Sequence, residues 1–478
     1  MKKGEIAILF LFFLVLASLF LLGLSQFVLV RWKQTFYNEA FSEAFEIAEA
    51  GIEYYRWHLS HNPTDFQDGT DSPGPYIHDY KDPEGNIIGK FSLEITPPSG
   101  CDPTVKIIST GWTLKKPQIK RKIKARLTRK SLASFSFLTN DDVWFGENEN
   151  LSGPFHSNGG VRMDGSQNSL STSAKETYIC RSIHGCSFSN CPSPCKWTLR
   201  GCKCPGIWGK GEGGNKGLWK FPVPFVDFDL ITYELSFLKE KAKESGYYFP
   251  TPAGQTKGYL LSFKKDGTFD LYRVKSLYPP VDCYNGERWT LESWDIKEKE
   301  FVDNLPLPQD CAPIFAETNL WIEGTVNGRV TVVAARLSKH ARIHQANIII
   351  NGNIDYANDN SILAMIAQKN ILVPLRSPDN LSIKGVMVAK NGRVIRYYYP
   401  PRDYEPFKTY AIRNYIETYG AIITKKVWTF TWVDPDTGNV SSGYRTTNMM
   451  YDTNLDSFPP PYFPTYGEYK ILSWEEIP

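Results

Sequence analysis

The chain has 478 residues, which is enough for several domains. Hydrophobic residues make up 42% of it and charged residues 22%, and these proportions exclude a disordered protein. Because 54 Lys and Arg nearly balance 51 Asp and Glu, a globally basic nucleic-acid binder is excluded, although a local basic patch is not. The aromatic content of 14%, together with 36 Gly and 32 Pro, favours strands and turns over helix bundles.

The first element is a long apolar segment, residues 6–30, which contains no charged side chain. As a helix with a rise of 1.5 Å per residue it would span roughly 37 Å, more than the ~30 Å core of a bilayer. We expect a single-pass membrane anchor, with the short amino end in the cytoplasm and the rest of the chain outside. Lys2 and Lys3 before the segment, and Arg31 and Lys33 after it, orient it only weakly.

The helical pattern continues beyond the apolar segment. Small and apolar residues recur at three- and four-residue spacing and form one stripe, while glutamates form a second stripe with the same period. The apolar stripe comprises Ala40, Phe41, Ala44, Ile47, Ala48, Gly51, Ile52 and Tyr55, and the acidic stripe comprises Glu39, Glu43, Glu46, Glu49 and Glu53. Pro63 ends the pattern, so the sequence predicts one helix from about Glu5 to Ser60, roughly 84 Å long.

This helix, half apolar and half amphipathic, resembles the amino-terminal helix of type IV pilins. Residues 2–4, KKG, resemble the leader that prepilin peptidase removes, which implies cleavage between Gly4 and Glu5. Residues 48–55, AEAGIEYY, are similar to the AEAGLEYA signature of PilX-type minor pilins. Major pilins carry Glu at the fifth mature position, where this sequence has Leu9, and the difference implies a subunit that need not pack above another one.

A small antiparallel sheet is predicted after the helix, with loops over 64–90 and strands over 91–96, 105–112 and 118–129. In the third strand the side chains alternate between an apolar face, which also contains Arg121, and a cationic face. The cationic face comprises Lys120, Lys122, Lys124, Arg126 and Lys130.

Such a row of cations is a candidate binding surface for DNA, anionic glycans or lipid headgroups. Two alternatives remain open. The charges protect an exposed edge strand from pairing, or they pair with the acidic helix stripe of a neighbouring subunit. No aromatic residue is interleaved with the cations in the sequence, which argues against a site for single-stranded nucleic acid.

Six of the nine cysteines fall within one short segment that also contains Pro192, Pro194 and Gly201. They are Cys180, Cys186, Cys191, Cys195, Cys202 and Cys204. Their spacing lacks the two separated ligand pairs of a zinc ribbon, and an outward-facing chain lies in an oxidising compartment. We therefore expect three local disulfides and no metal. Cys283 and Cys311 are predicted to form a fourth bridge, which leaves Cys101 over.

The remainder is predicted to be mainly β-structure, with a helix over 227–245 and hairpins over 258–274 and 427–444. From residue 319 onward, short aliphatic strands alternate with corners containing Gly or Asn-Gly. This rhythm is typical of a β-helix or solenoid, and an ordinary sandwich is the alternative because the period is irregular. The tail from Phe458 is rich in proline and predicts an extended strap.

No catalytic motif is present, because the sequence has no nucleophile elbow, phosphate loop or His-Glu-x-x-His pattern. Polar residues near the predicted corners share no fixed spacing; they are Lys339, His340, Arg342, His344, Asp355 and Asp359. Residues 355–360 lack the EF-hand pattern and predict a loop rather than a calcium site. Tyr397, Tyr398 and Tyr399 either stack on sugars or cover the end of the solenoid. We expect no enzyme, no cofactor and no metal.

The predicted fold class is α+β: a long pilin-like helix with a small antiparallel sheet, then a mainly-β, solenoid-like body with a Cys-rich insertion. The carboxy half resembles the large extracytoplasmic region attached to PilX-type helices in some bacterial lineages, through residues 144–146, 153–160, 321–330 and 459–464. The predicted parts are 1–62 (anchor and helix), 63–135 (sheet head), 136–225 (Cys-rich β segment), 226–315 (helix and hairpin insertion), 316–450 (solenoid-like domain) and 451–478 (strap).

These features predict a non-enzymatic minor pilin or pilus-tip component of a type IV pilus, acting in assembly priming and surface adhesion. Its partners would be other pilins, bound through the helix, the inner membrane, and DNA or surface glycans at the cationic face. The alternative is a membrane-anchored extracellular β-helix protein that binds or degrades polysaccharide.

Overall fold

The computed structural model describes residues 3–147, 149–187, 190–211, 216–228, 230–337, 344–434 and 437–478, and their side chains except those of 3–7, 9 and 230–234. The chain divides into two compact units. The first comprises Met1–Pro98, Thr104–Arg129 and Gly467–Pro478, and the second comprises Ser99–Pro103 and Lys130–Tyr466.

The helices are α1 (Lys3–His61), α2 (Leu230–Glu244) and α3 (Phe407–Tyr410). The strands up to the Cys-rich insertion are β1 (Tyr76–Lys81), β2 (Ile87–Thr96), β3 (Val105–Thr113), β4 (Arg121–Ser131), β5 (Phe137–Thr139), β6 (Val143–Phe145), β7 (Asn150–Leu151), β8 (Phe155–Ser157), β9 (Val161–Met163), β10 (Ser166–Gln167) and β11 (Ser171–Ser173). The next are β12 (Thr177–Cys180), β13 (Lys196–Thr198), β14 (Gly201–Pro205), β15 (Ile207–Trp208), β16 (Trp219–Lys220), β17 (Tyr247–Phe249), β18 (Gly258–Phe263), β19 (Thr268–Leu277), β20 (Val281–Tyr284), β21 (Trp289–Glu292) and β22 (Ile296–Pro306). The last are β23 (Ile314–Ala316), β24 (Asn319–Val326), β25 (Arg329–Ala334), β26 (Ile348–Tyr356), β27 (Ile362–Ala367), β28 (Ile371–Val373), β29 (Asn380–Ala389), β30 (Val394–Arg396), β31 (Ile412–Thr424), β32 (Thr431–Val433), β33 (Val440–Tyr451) and β34 (Thr465–Ile477).

The first unit consists of α1 and a five-stranded sheet in the order β1-β2-β3-β4-β34. The β1–β2, β2–β3 and β3–β4 pairs are antiparallel. Strand side chains alternate in direction, so Ile123, Ala125 and Leu127 of β4 all point into the core beside the helix. Leu93 of β2 and Ile107 of β3 belong to the same core. The predicted long helix with a small antiparallel sheet is confirmed.

The helix backbone lies very close to β3 at two glycines. A Cβ added to Gly111 would lie 2.3 Å from the backbone N of Ala48 and 2.4 Å from the carbonyl O of Ala44. A Cβ added to Gly51 would lie 2.3 Å from the Oγ of Ser109. These distances are far below van der Waals contact, so the absence of a side chain at both positions permits the close packing of helix on sheet.

The end of α1 is tied to the loop that follows it and to the last strand. The Nε2 atom of His58 lies 3.0 Å from the Oδ2 atom of Asp65, and the hydroxyl of Tyr55 donates to the carbonyl O of Asp65 at 3.0 Å. The hydroxyl of Tyr469, in β34, donates to the carbonyl O of Pro63 at 2.9 Å. The carboxy-terminal strand therefore stabilises the end of the amino-terminal helix.

The second unit is built mainly from parallel ladders. Strand β25 pairs in parallel with β23 and β27, and β26 pairs in parallel with β24 and β28, so these strands pair with the second strand along the chain. Strands β29, β31 and β33 extend the ladders, and β31 also pairs with β5, which pairs with β8. Stacked coils generate this kind of pairing, whereas an antiparallel sandwich does not.

Several strands of the second unit, such as β25 and β27, are buried on both faces. One face contributes residues such as Ile322, Val332 and Met365 to the inner core. The opposite face contributes Val333 and Ile366 to a second core, to which α2 also contributes. Burial on both sides explains why β27 is a continuous apolar run rather than an alternating one. The mainly-β body with its Cys-rich region is confirmed.

Two strands depart from the sequence prediction. The region 64–90, predicted to form loops, contains β1, whose Tyr76 is buried opposite Leu93 of β2. The predicted carboxy-terminal strap contains β34, which joins the sheet next to β4. Between Pro464 and Pro478 the tail contains no proline, so this segment is free to form a strand. The division into six parts stays a prediction.

The close approach at Gly111 is testable by Gly111→Ala. The added methyl group would meet the backbone of α1, and we expect a loss of about 1–3 kcal/mol in the free energy of unfolding, as overpacked sites show. Denaturant unfolding followed by circular dichroism measures this. Gly23→Ala is the matched control, because a Cβ there has nothing within 4 Å. Equal stability of the two variants would contradict the packing described.

Candidate functional site

The apolar half of α1 is uncovered. Every described side chain from Ile8 to Glu39 is exposed, and the most apolar window has a mean hydropathy of 2.4 with none of it buried. Among the described residues, α1 is the one helix that is long and apolar enough to cross a membrane. Because exposed apolar surface costs about 25 cal/mol per Å² in water, this segment fits a single-pass membrane anchor.

The few polar groups in the apolar half are satisfied within the helix. The hydroxyl of Ser18 donates to the carbonyl O of Val15 at 2.8 Å, and that of Ser25 donates to the carbonyl O of Leu22 at 2.8 Å. A hydroxyl that bonds its own helix can enter an apolar medium without a missing hydrogen bond. The helix can therefore be surrounded by lipid or by other helices along this segment.

The AEAGIEYY segment of α1 faces the sheet with one side and solvent with the other. Ala48, Ile52 and Tyr55 are buried in the core of the first unit, whereas Glu49 and Glu53 are exposed. The pattern follows from the 3.6-residue helical period, which places positions three and four apart on one face. The motif thus has a packing role within the first unit, and its glutamates point outward.

The acidic stripe predicted from the sequence is exposed throughout; it comprises Glu39, Glu43, Glu46, Glu49 and Glu53. Glu53 forms an ion pair with Arg56 at 2.6 Å. Within the described part of the chain, the other four glutamates have no ion-pair partner. The outer side of the helix therefore presents negative charge to whatever lies next to it.

The cationic face lies on the side of the sheet opposite to the helix, because its residues alternate with the buried Ile123, Ala125 and Leu127. Lys122 is exposed, and Lys124 forms an ion pair with Glu475 of β34 at 3.0 Å.

Two further cations have neighbours on this face. The Nζ atom of Lys120 lies 4.8 Å from the ring centroid of Trp112, and Arg126 donates to the Oγ1 of Thr104 at 3.3 Å. Lys130 belongs to the second unit, so four of the five residues of the cationic face lie in the first unit.

The edge-strand explanation of the cations is wrong. Strand β4 has β3 on one side and β34 on the other, so its backbone groups are paired with both neighbours. Arg121, on the helix side, forms an ion pair with Glu476 of β34 and lies 5.5 Å from the ring centroid of Phe45. The sequence prediction missed β34 because the prolines before it dominate the tail, although its Tyr469 and Trp474 were a signal for a strand.

The cysteines of the insertion pair with one another. The bridges are Cys180–Cys186, Cys191–Cys202 and Cys195–Cys204. Two groups of three cysteines have their sulfur atoms within 4.8 Å of one another, a spacing that suits a metal ion. The groups are Cys180, Cys186 and Cys204, and Cys195, Cys202 and Cys204. Because every one of these sulfurs is in a disulfide, none is a thiolate that could bind one.

The predicted bridge between Cys283 and Cys311 is wrong. Cys311 is bonded to Cys101, across a sequence separation of 210, and both residues belong to the second unit. Cys283 is the one free cysteine of the nine, all of which lie in the described ranges. It is buried in a core with Trp321 and Ile349, and this burial raises the pKa of its thiol to about 12. It is therefore an unreactive core residue.

Of the polar residues near the predicted corners, His344, Asp355 and Asp359 lie in the described ranges. Lys339, His340 and Arg342 lie outside the described residues. Asp355 forms an ion pair with Lys384 at 2.8 Å, and this lysine lowers the pKa of the carboxyl.

Two of the three tyrosines at 397–399 expose almost no ring surface to a ligand. Tyr397 and Tyr399 are buried, with 4% and 3% of their surface exposed, so their rings are not available to stack on a sugar. Both lie in the core that also contains Cys283.

An acidic pocket of about 410 Å³ lies in the second unit beside residues 356–359. Its lining includes the carboxylates of Asp359, Glu417 and Asp452. Glu417 accepts from the hydroxyl of Tyr415 at 2.7 Å, and Asp452 accepts from the hydroxyl of Tyr419 at 3.0 Å. Sequence reasoning missed this pocket because its residues come from four separate parts of the chain.

No protein-family model matches the chain, and no curated protein matches it. Among solved structures, the competence-associated pilin ComZ from Thermus thermophilus matches with 14% sequence identity over 92% of this chain and 98% of that one. The TM-score of this match is 0.27, which is too low to support a conclusion about the fold or function of this chain.

The cysteine pairing is testable by mass spectrometry. Iodoacetamide added to the denatured, unreduced protein should modify Cys283 alone, and digestion should yield a peptide pair linked through Cys101 and Cys311. The folded protein should resist modification, because the Cys283 thiol is buried and has a raised pKa. Reduction before labelling is the control and should expose all nine cysteines. A peptide pair linked through Cys283 and Cys311 would contradict the structure.

Proposed function

We propose that this chain is a non-enzymatic minor pilin of a type IV pilus, held first in the inner membrane and then in the filament. The observation that carries the proposal is the continuous helix α1, exposed and apolar in its first half and packed on an antiparallel sheet in its second. The likeness of residues 2–4 and 48–55 to pilin sequences supports it.

The two halves of α1 suit two different surroundings. The exposed apolar half can lie in a bilayer before assembly and among the apolar helices of other pilins afterwards, since both surroundings cover the same surface. The amphipathic half stays with the sheet, because Gly51 and Gly111 let the two pack closely. A subunit of this kind can move from membrane to filament without refolding.

The charges of the first unit suit contact between neighbouring subunits. The acidic stripe lies on the outer side of the helix and Lys122 on the outer side of the sheet, so they face away from each other within one subunit. Repeated subunits would bring one surface against the other. This favours subunit pairing as the role of the cations, with DNA or glycan contact as the second use of the same face.

A position at or near the filament tip follows from two features. The body in the second unit, Ser99–Pro103 with Lys130–Tyr466, is far larger than the sheet head. Leu9 stands where major pilins carry the glutamate that is thought to pair with a neighbouring amino terminus. A subunit that need not pack above another one and carries a bulky body suits assembly priming and surface adhesion at the tip.

Processing of the amino terminus tests the proposal. A prepilin peptidase should cut after Gly4, so mass spectrometry of the filament-associated protein should find Glu5 as the first residue. Gly4→Leu should block cleavage and keep the chain in the membrane, whereas Gly23→Leu should leave cleavage intact, because it lies far from the cut and has open space around it. Filament-associated protein that begins at Met1 would contradict the pilin mechanism.

Polysaccharide binding or cleavage is the second candidate, and the acidic pocket is the observation in its favour. Glycosidases need one carboxylate as an acid and another as a base or nucleophile. In this pocket Glu417 and Asp452 are already held by tyrosine hydroxyls, which suits a structural or binding role better than proton transfer.

The purified chain should therefore release no reducing ends from anionic or neutral polysaccharides. The variants Asp359→Asn and Glu417→Gln should give the same result as the unchanged chain in this assay. Release of sugar that either substitution abolishes would establish an enzyme instead of the proposed pilin subunit.

A further inference from the structure

The disulfide-rich insertion contains a small, rigid hairpin. Strands β12, β14 and β13 form a three-stranded antiparallel sheet, in which β13 and β14 are joined by the two-residue turn Leu199-Arg200. Two disulfides, Cys191–Cys202 and Cys195–Cys204, link β14 to the segment before β13. We call the hairpin with the adjoining residues 181–183 the stapled tip.

The turn at the end of the stapled tip is held outward. The hydroxyl of Thr198 donates to the carbonyl O of Gly201 at 2.8 Å and accepts from the backbone N of Arg200 at 3.2 Å. Leu199 is fully exposed, and Ile183 is 67% exposed. Because the turn bonds and the disulfides fix the backbone, these aliphatic side chains cannot fold back onto the body. Exposed apolar groups on a rigid support mark an interaction surface.

The stapled tip is cationic and lacks acidic residues. Residues 177–211 contain five cations and no Asp or Glu, and two of the cations, Arg181 and Lys210, form ion pairs with Asp141 and Glu147 outside the segment. Lys196 lies directly opposite Lys203 in the β13–β14 pair. Like charges at this spacing cost stability. Lys196, Arg200 and Lys203 form no ion pair with any described residue, so their charge is available to an external partner.

The apolar and cationic groups share the same surface. A groove of about 570 Å³ is lined by Arg181, Ile183, Trp197 and Arg200, and Trp197 is 44% exposed. A second groove, of about 630 Å³, is lined by Leu199, Arg200 and Lys203 among others. Aliphatic side chains, a tryptophan and cations therefore meet around Arg200.

We propose that the stapled tip binds the surface of an anionic lipid bilayer. Leu199 and Ile183 would enter the boundary between headgroups and acyl chains, Trp197 would lie at the headgroup level, and the cations would contact lipid phosphates. An anionic glycan fits less well, because the exposed side chains of Leu199 and Ile183 are aliphatic and form no hydrogen bonds with hydroxyl groups. The proposal does not depend on the pilin function, since it rests on the insertion alone.

The test uses the full chain, inserted through α1 into nanodiscs of phosphatidylcholine so that the apolar helix is occupied. Labelled vesicles of phosphatidylcholine containing phosphatidylglycerol are then added, and their capture by immobilised nanodiscs is measured. We expect capture of these vesicles, a decrease in capture with added salt, and little capture of vesicles made of phosphatidylcholine alone. Equal capture of both kinds of vesicle would overturn the proposal.

Two variants separate the apolar and the ionic contributions. The triple variant Lys196→Gln, Arg200→Gln, Lys203→Gln should weaken capture roughly a hundredfold, since each cation near an anionic surface contributes about a factor of five. The double variant Ile183→Ser, Leu199→Ser should weaken it by about tenfold or more. Leu291→Ser is the matched control, because that leucine is also exposed but lies in the separate β20–β21 hairpin. Both test variants must keep the three disulfides by mass spectrometry.

Two further results would overturn the proposal. One is vesicle capture that neither test variant changes. The other is retention of the full chain on an anionic polysaccharide such as alginate without capture of vesicles, which would assign the stapled tip to glycan recognition.

Discussion

The close packing of α1 on β3 is the interaction on which the rest of the first unit depends. At Gly111 the sheet backbone comes so near to Ala44 and Ala48 that no side chain fits between them. This approach fixes which side of the helix is buried, and hence which side carries the exposed glutamates. The apolar half of the helix lies beyond this contact, and its described side chains from Ile8 to Val30 are exposed.

In the second unit, too, the burial of apolar side chains determines the architecture. Its parallel ladders bury both faces of strands such as β27, with an inner core on one side and a second core shared with α2 on the other. The stapled tip lies in an insertion that forms its own small sheet outside these ladders, where a binding surface can arise without loss of the core.

Periodic features were predictable from the sequence, and contacts between distant segments were not. The alternation in β4 predicts that Lys122 and Lys124 lie opposite the buried Ile123, and the structure agrees. Sequence spacing could not indicate that Cys311 bonds to Cys101, because a sequence separation of 210 carries no information on proximity. Burial of the Cys283 thiol among aromatic and aliphatic side chains likewise depends on the packing of several strands.

The central claim is that this chain becomes part of a pilus. Shearing pili from cells and probing the sheared fraction for the chain tests it most directly, with an inner-membrane protein as the control for contamination. The account predicts that the chain co-purifies with sheared pili and is lost from that fraction when Gly4→Leu blocks processing. Presence of the chain only in the membrane fraction of normally piliated cells would contradict it.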